Sequence, residues 1–261
     1  MDNTEQILDE EESFANLREQ ILVLTKLLEH EKEMNKLKSR FVSIASHEFR
    51  TPLTNILSSA GLIEKYQTTD EQQNRIRHTH RIAAAVDNLT SILNDFLSVE
   101  QFESDNVDTG SLLFNLPECL EYLVADMDGM LNKKDQRIQY RHDGEVQITQ
   151  SEKILRNVLL NLLSNASKYS AVGKEIHLTS TVINYRILIT VKDYGIGIPE
   201  EDHKKLFTGY FRGHNVENIQ GTGLGLSIVK RYLELLGGNI SFTSKLNEGT
   251  IFTVELPQVM V

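Results

Sequence analysis

The residues of this chain best suited to chemistry begin with Ser46-His47-Glu48-Phe49-Arg50-Thr51-Pro52-Leu53, which places a nucleophile, a carboxylate and a hydroxyl beside a helix-bending proline. On a helix over residues 36–65, successive side chains rotate by roughly 100°, which turns His47 off the apolar stripe Leu37, Phe41, Ile44 and Ala45. Its ring then faces solvent or a partner. An imidazole attacks phosphorus through an unprotonated nitrogen, and an unperturbed pKa of about 6.5 leaves histidine mostly neutral in the cell. Glu48 can hold the proton on the other ring nitrogen, as orienter or general base. Thr51 follows one turn later on the same face, where a hydroxyl can position water to hydrolyse a phosphoryl group on a docked partner. Pro52 has no N–H, so the Glu48 carbonyl loses its helical partner and the helix can bend beside the nucleophile.

A phosphate donor site has its own residues downstream. In Asn157–Tyr169, Asn161 and Asn165 share a helical face and present neutral amide oxygens, hard ligands for Mg²⁺ that add no charge against a triphosphate. Lys168 can reach a phosphate, and Tyr169 closes the run. Asp193-Tyr194-Gly195-Ile196-Gly197 follows the alternating strand Arg186–Lys192. An aspartate at a strand end can accept an exocyclic amine, and Gly195 and Gly197 permit close backbone approach. Gly221-Thr222-Gly223-Leu224-Gly225-Leu226 then runs into a helix, and the amides of such a loop and helix start suit phosphate. A dinucleotide fingerprint would follow the first strand of a βαβ unit; here the run follows a polar loop. The lysine-bearing phosphate loop is absent too.

The histidine string resembles the phosphoacceptor box of the dimerising histidine kinases. In their order, the Asn, Asp-Gly and second Gly runs resemble the ATP-binding fold shared by histidine kinases, type II topoisomerases, 90-kilodalton heat-shock chaperones and mismatch-repair ATPases. Leu206–Gly213 resembles the phenylalanine box of the kinase branch, with Thr208 and Gly209 replacing the Glu-Pro or Glu-Arg pair usual there. Phe207 and Phe211 would anchor a lid over residues 213–220, with Arg212 near the γ-phosphate. Gly249-Thr250 and the strand after it resemble the family's final hairpin, with Thr250 near the adenine edge.

Covering about residues 36–257, the resemblance implies a protein histidine kinase core. ATP would be held by Asn161, Asn165, Lys168, Tyr169, Asp193, Gly195, Gly197, Arg212, Gly221, Thr222, Gly223, Leu224, Gly225, Leu226 and Thr250, with Asn161 and Asn165 on Mg²⁺. His47 would take the γ-phosphoryl group and pass it to an aspartate on a response-regulator receiver domain, with Glu48 and Thr51 helping to remove it again. An ATPase clamp on the same nucleotide fold leaves the histidine box unexplained. A nucleotide-controlled scaffold or phosphatase without autokinase activity sits poorly with intact Asn165, Asp193 and Gly223.

The elements that must position these residues follow from periodicity. Leu17, Ile21, Leu24 and Leu28 form a coiled-coil seam that changes register through Leu27, Met34 and Phe41. Ile82, Val86, Leu89, Leu93 and Phe96 make a second seam. Two such helices form a hairpin too thin to bury its own apolar face, and two chains complete a four-helix bundle. Strands at Arg137–His142, Ile176–Asn184 and Arg186–Lys192, with helices near 117–131, 151–168 and 225–236, predict an α/β sandwich. The expected organisation is a coiled-coil linker over 1–35, a histidine-bearing hairpin over 36–105, a hinge over 106–112 and an ATP-binding domain over 113–261.

Composition narrows the partners. A net charge of −10 argues against nonspecific nucleic-acid binding. The single cysteine, Cys119, excludes a disulfide framework within one chain and reads as a small buried residue. No segment of about 18 apolar residues occurs and the N-terminus is acidic, so a cytoplasmic location without direct membrane contact is expected. Residues 1–35 are too few for a folded sensory module, which takes on the order of 100 residues. The stimulus then arrives through an upstream sensor, either a separate protein or part of a longer membrane-bound parent.

Overall fold

The computed structural model describes residues 48–103, 110–209 and 222–258, with positions 18, 20, 21, 24, 25, 28, 32, 46, 211, 213 and 216. Leu17, Leu27, Met34, Leu37, Phe41, Ile44 and Ala45 of the expected apolar seam and stripe lie outside the described residues, as do His47, Arg212, Gly221 and positions 106–109 of the hinge. The chain divides into two compact units, Met1–Thr51 and Pro52–Val261. In the first, the described positions are helical; Ile21, Leu24 and Leu28 are exposed, Glu48 is buried, and Ser46, Arg50 and Thr51 are exposed.

Helical residues run over 48–65 (α1), and a second helix, α2, spans Gln72–Glu103. The connection is tied locally. Glu71 Oε2 accepts from the Thr68 amide at 3.1 Å and from its hydroxyl at 2.8 Å, while Arg75 donates to the Tyr66 carbonyl at 2.6 Å. His78 is buried between the helices, 3.4 Å from Ser59 Oγ and stacked on Tyr66. A hairpin this narrow leaves apolar surface bare: Leu53, Leu57, Val86 and Leu93 are all exposed.

The rest of the second unit is a mixed sheet covered by helices. Strands β2 (Arg137–Gly144), β4 (Glu175–Ile183), β5 (Arg186–Lys192), β6 (Asn239–Lys245) and β7 (Gly249–Pro257) lie in the order β2-β4-β5-β7-β6. Only β2 and β4 pair in parallel. A separate antiparallel pair joins β1 (Leu112–Asn115) to β3 (Gln147–Gln150), a strand that the periodicity did not predict. Burial alternates along β4: Ile176, Leu178, Ser180 and Val182 are buried, and the residues between them are half-exposed. That period of two is what a sheet with one covered face requires.

The covering helices are α3 (Leu116–Asp126), α5 (Glu152–Tyr169) and α6 (Gly225–Leu235). The expected single helix near 117–131 is instead two, with α4 (Asp128–Asn132) starting after Met127. α3 begins where the Asn115 side chain accepts the Glu118 amide at 3.1 Å, with Pro117 in the first turn. α5 carries Ile154, Leu155, Val158, Leu159, Leu162, Leu163 and Ala166 on its buried stripe. These recur at three- and four-residue steps, leaving Asn161, Asn165 and Lys168 off the stripe. Burying each leucine stabilises the fold by about 1.5–3 kcal/mol.

Candidate nucleotide site

α5 owes its place to both ends of the chain around it. Its last carbonyls have no helical donors of their own, and two side chains just before β2 supply them. Lys134 Nζ donates to the carbonyls of Ser167 and Lys168 at 2.8 and 3.0 Å. Gln136 Nε2 donates to those of Ser167 and Ala171 at 3.1 and 3.0 Å, and its Oε1 accepts from the Ser167 hydroxyl at 2.6 Å. A positive charge at a helix C-terminus also suits the helix dipole. The Tyr169 carbonyl, in the same turn, accepts the Ile196 amide at 3.3 Å and so fixes α5 to the glycine loop after β5.

Asp193 lies at the start of that loop. Its Oδ1 accepts from the amides of Gly195 at 2.8 Å and Thr250 at 3.2 Å, leaving the second oxygen for a ligand. Burial pushes the Asp193 carboxyl above the ordinary carboxylate range, against the pull of the Gly195 and Thr250 amides. Gly249, at φ 113°, packs on the Asp193 carbonyl so closely that a Cβ would overlap it. The chain must therefore have glycine there.

A cavity of about 460 Å³ opens above these groups. Asn161, Asn165, Lys168, Tyr169, Asp193, Gly197, Thr222, Gly223, Gly225, Leu226 and Thr250 all line it. Gly195 and Leu224 stand beside it as backbone: the amide of the first donates to Asp193, and the amide of the second donates to Thr222 Oγ1 at 3.2 Å just before α6. Asn161 donates through Nδ2 to the Asn157 carbonyl at 3.1 Å, turning its oxygen toward Gly225, where a Cβ would come within 2.8 Å of it. The amide oxygens of Asn161 and Asn165 are neutral donors of the kind a hard divalent cation accepts, and among the described residues no group of three or more His, Cys, Asp or Glu could hold a metal ion. Glu48 and Thr51 belong to the first compact unit.

The phenylalanine box divides its labour. Phe207 packs edge-on against Phe242, with ring centroids 5.8 Å apart, whereas Phe211 lines the cavity wall with Gly213 and Val216. Several lining residues have no motif to announce them: Met130, and Asn88, Ser91 and Ile92 of α2, which packs against α6. Ser244 was also missed, although a hairpin centred on Asn247 sets it opposite Thr250. Cys119 is buried with its thiol pushed up to about 11, chiefly by burial and then by Glu152, so it is an inert core residue.

Comparison with known proteins gives this geometry its family. Residues 150–260 match the family model of "Histidine kinase-, DNA gyrase B-, and HSP90-like ATPase" and residues 37–105 that of the "His Kinase A (phospho-acceptor) domain". Sensor histidine kinase YcbM of Bacillus subtilis is 34% identical over 84% of this chain and 71% of its own length. The structure of full-length ShkA in complex with AMPPNP superposes with a TM-score of 0.61 at 26% identity, covering 85% of this chain and 46% of ShkA. Histidine kinase ThkA, in complex with the response regulator protein TrrA, superposes with a TM-score of 0.64 at 21% identity, covering 87% of this chain and 64% of that one. This chain belongs to the sensor histidine kinases. It spans about a quarter of the length of several longer curated relatives. Among the described residues, no helix is long and apolar enough to cross a membrane.

Proposed function

We propose that this chain is an ATP-dependent protein histidine kinase that phosphorylates itself on His47. The observation that carries the reading is the convergence of Asn161, Asn165, Lys168, Asp193 and Thr250 on one cavity, in a chain that also matches a phospho-acceptor domain. Asp193 accepts the adenine amine, Lys168 and the Thr222–Leu226 run meet the phosphates, and Asn161 and Asn165 hold Mg²⁺. The family resemblance gives Arg212 and Gly221, which lie outside the described residues, roles toward the phosphates. A nitrogen of His47 attacks the γ-phosphorus in line, the new N–P bond forms as the bond to the β-phosphate oxygen breaks, and ADP leaves. Catalysis of such a transfer is mainly positioning and charge stabilisation.

The phosphoryl group then passes to an aspartate of a response-regulator receiver domain, the kind of partner held by ThkA. Glu48 orients the imidazole, and Glu48 and Thr51 serve the reverse task of dephosphorylating the regulator. The exposed Leu57, Val86 and Leu93 suit a second copy, which completes a four-helix bundle. Residues 1–35 act as the linker from an upstream sensor, 36–105 as the phosphotransfer hairpin, 106–112 as the hinge and 113–261 as the catalytic domain, in the cytoplasm.

Incubation with Mg²⁺ and γ-labelled ATP tests this directly. Wild type is expected to carry acid-labile, alkali-stable label, and His47→Gln to carry none while binding ATP as tightly. Label that survives in His47→Gln refutes the assignment.

A further inference from the structure

One hydroxyl behind the nucleotide cavity decides what another can do. Ser244 Oγ, on β6, makes three contacts: the Ile198 amide at 2.9 Å, the Gly249 carbonyl at 3.1 Å and Thr250 Oγ1 at 2.8 Å. A serine hydroxyl has one proton to donate and two lone pairs to accept with. The Ile198 amide can only donate, so it occupies one lone pair. The Gly249 carbonyl can only accept, so it takes the proton. The contact to Thr250 is then satisfied in a single way, with the Thr250 hydroxyl donating to Ser244. Thr250 has spent its only proton on Ser244, and toward the cavity it offers lone pairs alone.

That polarity matters because of the neighbour. Thr250 is buried and lines the cavity together with Asp193. The ionised Asp193 is also an acceptor, and Oδ1 is already engaged by two amides. Two acceptors lining one cavity match a 6-amino purine, whose exocyclic nitrogen carries two protons. A 6-oxo purine offers a single proton on that edge, on N1, and turns its exocyclic oxygen toward the other acceptor, which is left opposed. We infer that Ser244 is a specificity-determining positioning residue: by fixing Thr250 as an acceptor, it makes this site reject 6-oxopurine nucleotides in favour of adenine. The inference rests on the ATP reading above and names how that site tells one nucleotide from another.

ATP and ITP, which differ in the 6-substituent and in the proton that hypoxanthine carries on N1, supply the test. Binding of each to the full chain is measured with Mg²⁺ for wild type, Ser244→Ala, Ser244→Thr and Thr250→Val. Wild type should favour ATP strongly. In Ser244→Ala the Thr250 hydroxyl is free to turn and donate to a 6-oxo group, so the preference should fall about tenfold, chiefly through tighter ITP binding. Ser244→Thr keeps the hydroxyl and should keep the preference. Thr250→Val should lower the preference as well, and adding Ser244→Ala to it should change the ratio no further. Equal weakening of both nucleotides in Ser244→Ala, or an unchanged ratio, would overturn the inference and reduce Ser244 to a structural bond. Should Ser244→Ala not fold, an unchanged ratio in Thr250→Val overturns it just as well. A wild-type chain that binds ITP as well as ATP refutes this inference but leaves the kinase reading standing; one that binds neither refutes both.

Discussion

Asp193 and Thr250 are bound to each other twice: the Asp193 amide donates to the Thr250 carbonyl at 2.9 Å, and the Thr250 amide donates to Asp193 Oδ1 at 3.2 Å. The carboxylate is thus aimed from the end of β5 by the strand beside it, and neither residue can shift without the other.

Asp193→Asn should separate stability from binding. The raised pKa means that the folded state resists ionisation of this carboxyl, so the ionised group lowers stability above its folded pKa and costs nothing below the unfolded value of 3.8. Asparagine keeps the acceptor for the two amides and carries no charge. The apo variant should melt higher than wild type at pH 7, with the difference closing as the pH falls below 3.8. ATP affinity should fall by about ten- to a hundredfold, the loss of a charged hydrogen-bond partner. Thermal scans across pH and isothermal titration check the two halves; a variant that melts lower at pH 7 contradicts the burial argument.

Gly225→Ala should likewise move stability and affinity in opposite directions. Alanine in a helix is favoured over glycine by up to about 1 kcal/mol, so the melting temperature should hold or rise. The new methyl meets Asn161 Oδ1 at 2.8 Å and turns that amide away from the ligand. A tenfold rise in the ATP dissociation constant is the expected order of effect for one displaced ligand group. Unchanged affinity would show that the Asn161 oxygen has no part in binding.

Gln136→Leu tests the clamp on α5. It removes the donor shared by the Ser167, Ser170 and Ala171 carbonyls and the acceptor for the Ser167 hydroxyl, in a site only 2% exposed. Leaving such groups unpaired costs about 1–3 kcal/mol, which should appear in the denaturant midpoint. ATP affinity should weaken too, because the same turn carries Lys168 and Tyr169. Lys134→Ala should act in the same sense and more mildly, since water can reach its half-buried carbonyls.

If the proposed second copy docks on the hairpin, Leu57→Glu with Leu93→Glu should leave the chain monomeric. Both side chains are exposed in the single chain, at 76% and 47%, so charging them costs the isolated fold little. Sedimentation should show the mass halving, with ATP binding by the catalytic domain unchanged. A variant that stays dimeric would place the subunit contact elsewhere.

Much of the site was legible because its chemistry is local in sequence. Asn161, Asn165 and Lys168 declare themselves by helical spacing, and Asp193 with its two glycines by the break at a strand end. One cavity brings those runs together with Thr222, Gly223, Gly225, Leu226 and Thr250. What escaped depends on contacts between distant segments. Ser244 is one polar residue in an alternating strand, and only its three bonds show its importance. Ile92 reads as one more apolar residue near a seam of α2, yet it is buried and faces the nucleotide cavity, while Leu93 beside it is exposed. Met127 looks continuous with its helix by propensity, but the chain breaks there between α3 and α4.

The strand order has a consequence for how the protein is made. Among the described strands β7 follows all the others in sequence but lies between β5 and β6 in space, so a growing chain on the ribosome has synthesised Asp193 and the glycines before α6 ahead of the strand that aims the aspartate. Until β7 emerges, one long edge of β5 lies bare and the adenine end of the site is unbuilt. The cavity is therefore completed only once β7 has been made, and a nascent chain that stops short of it has no finished site for a nucleotide.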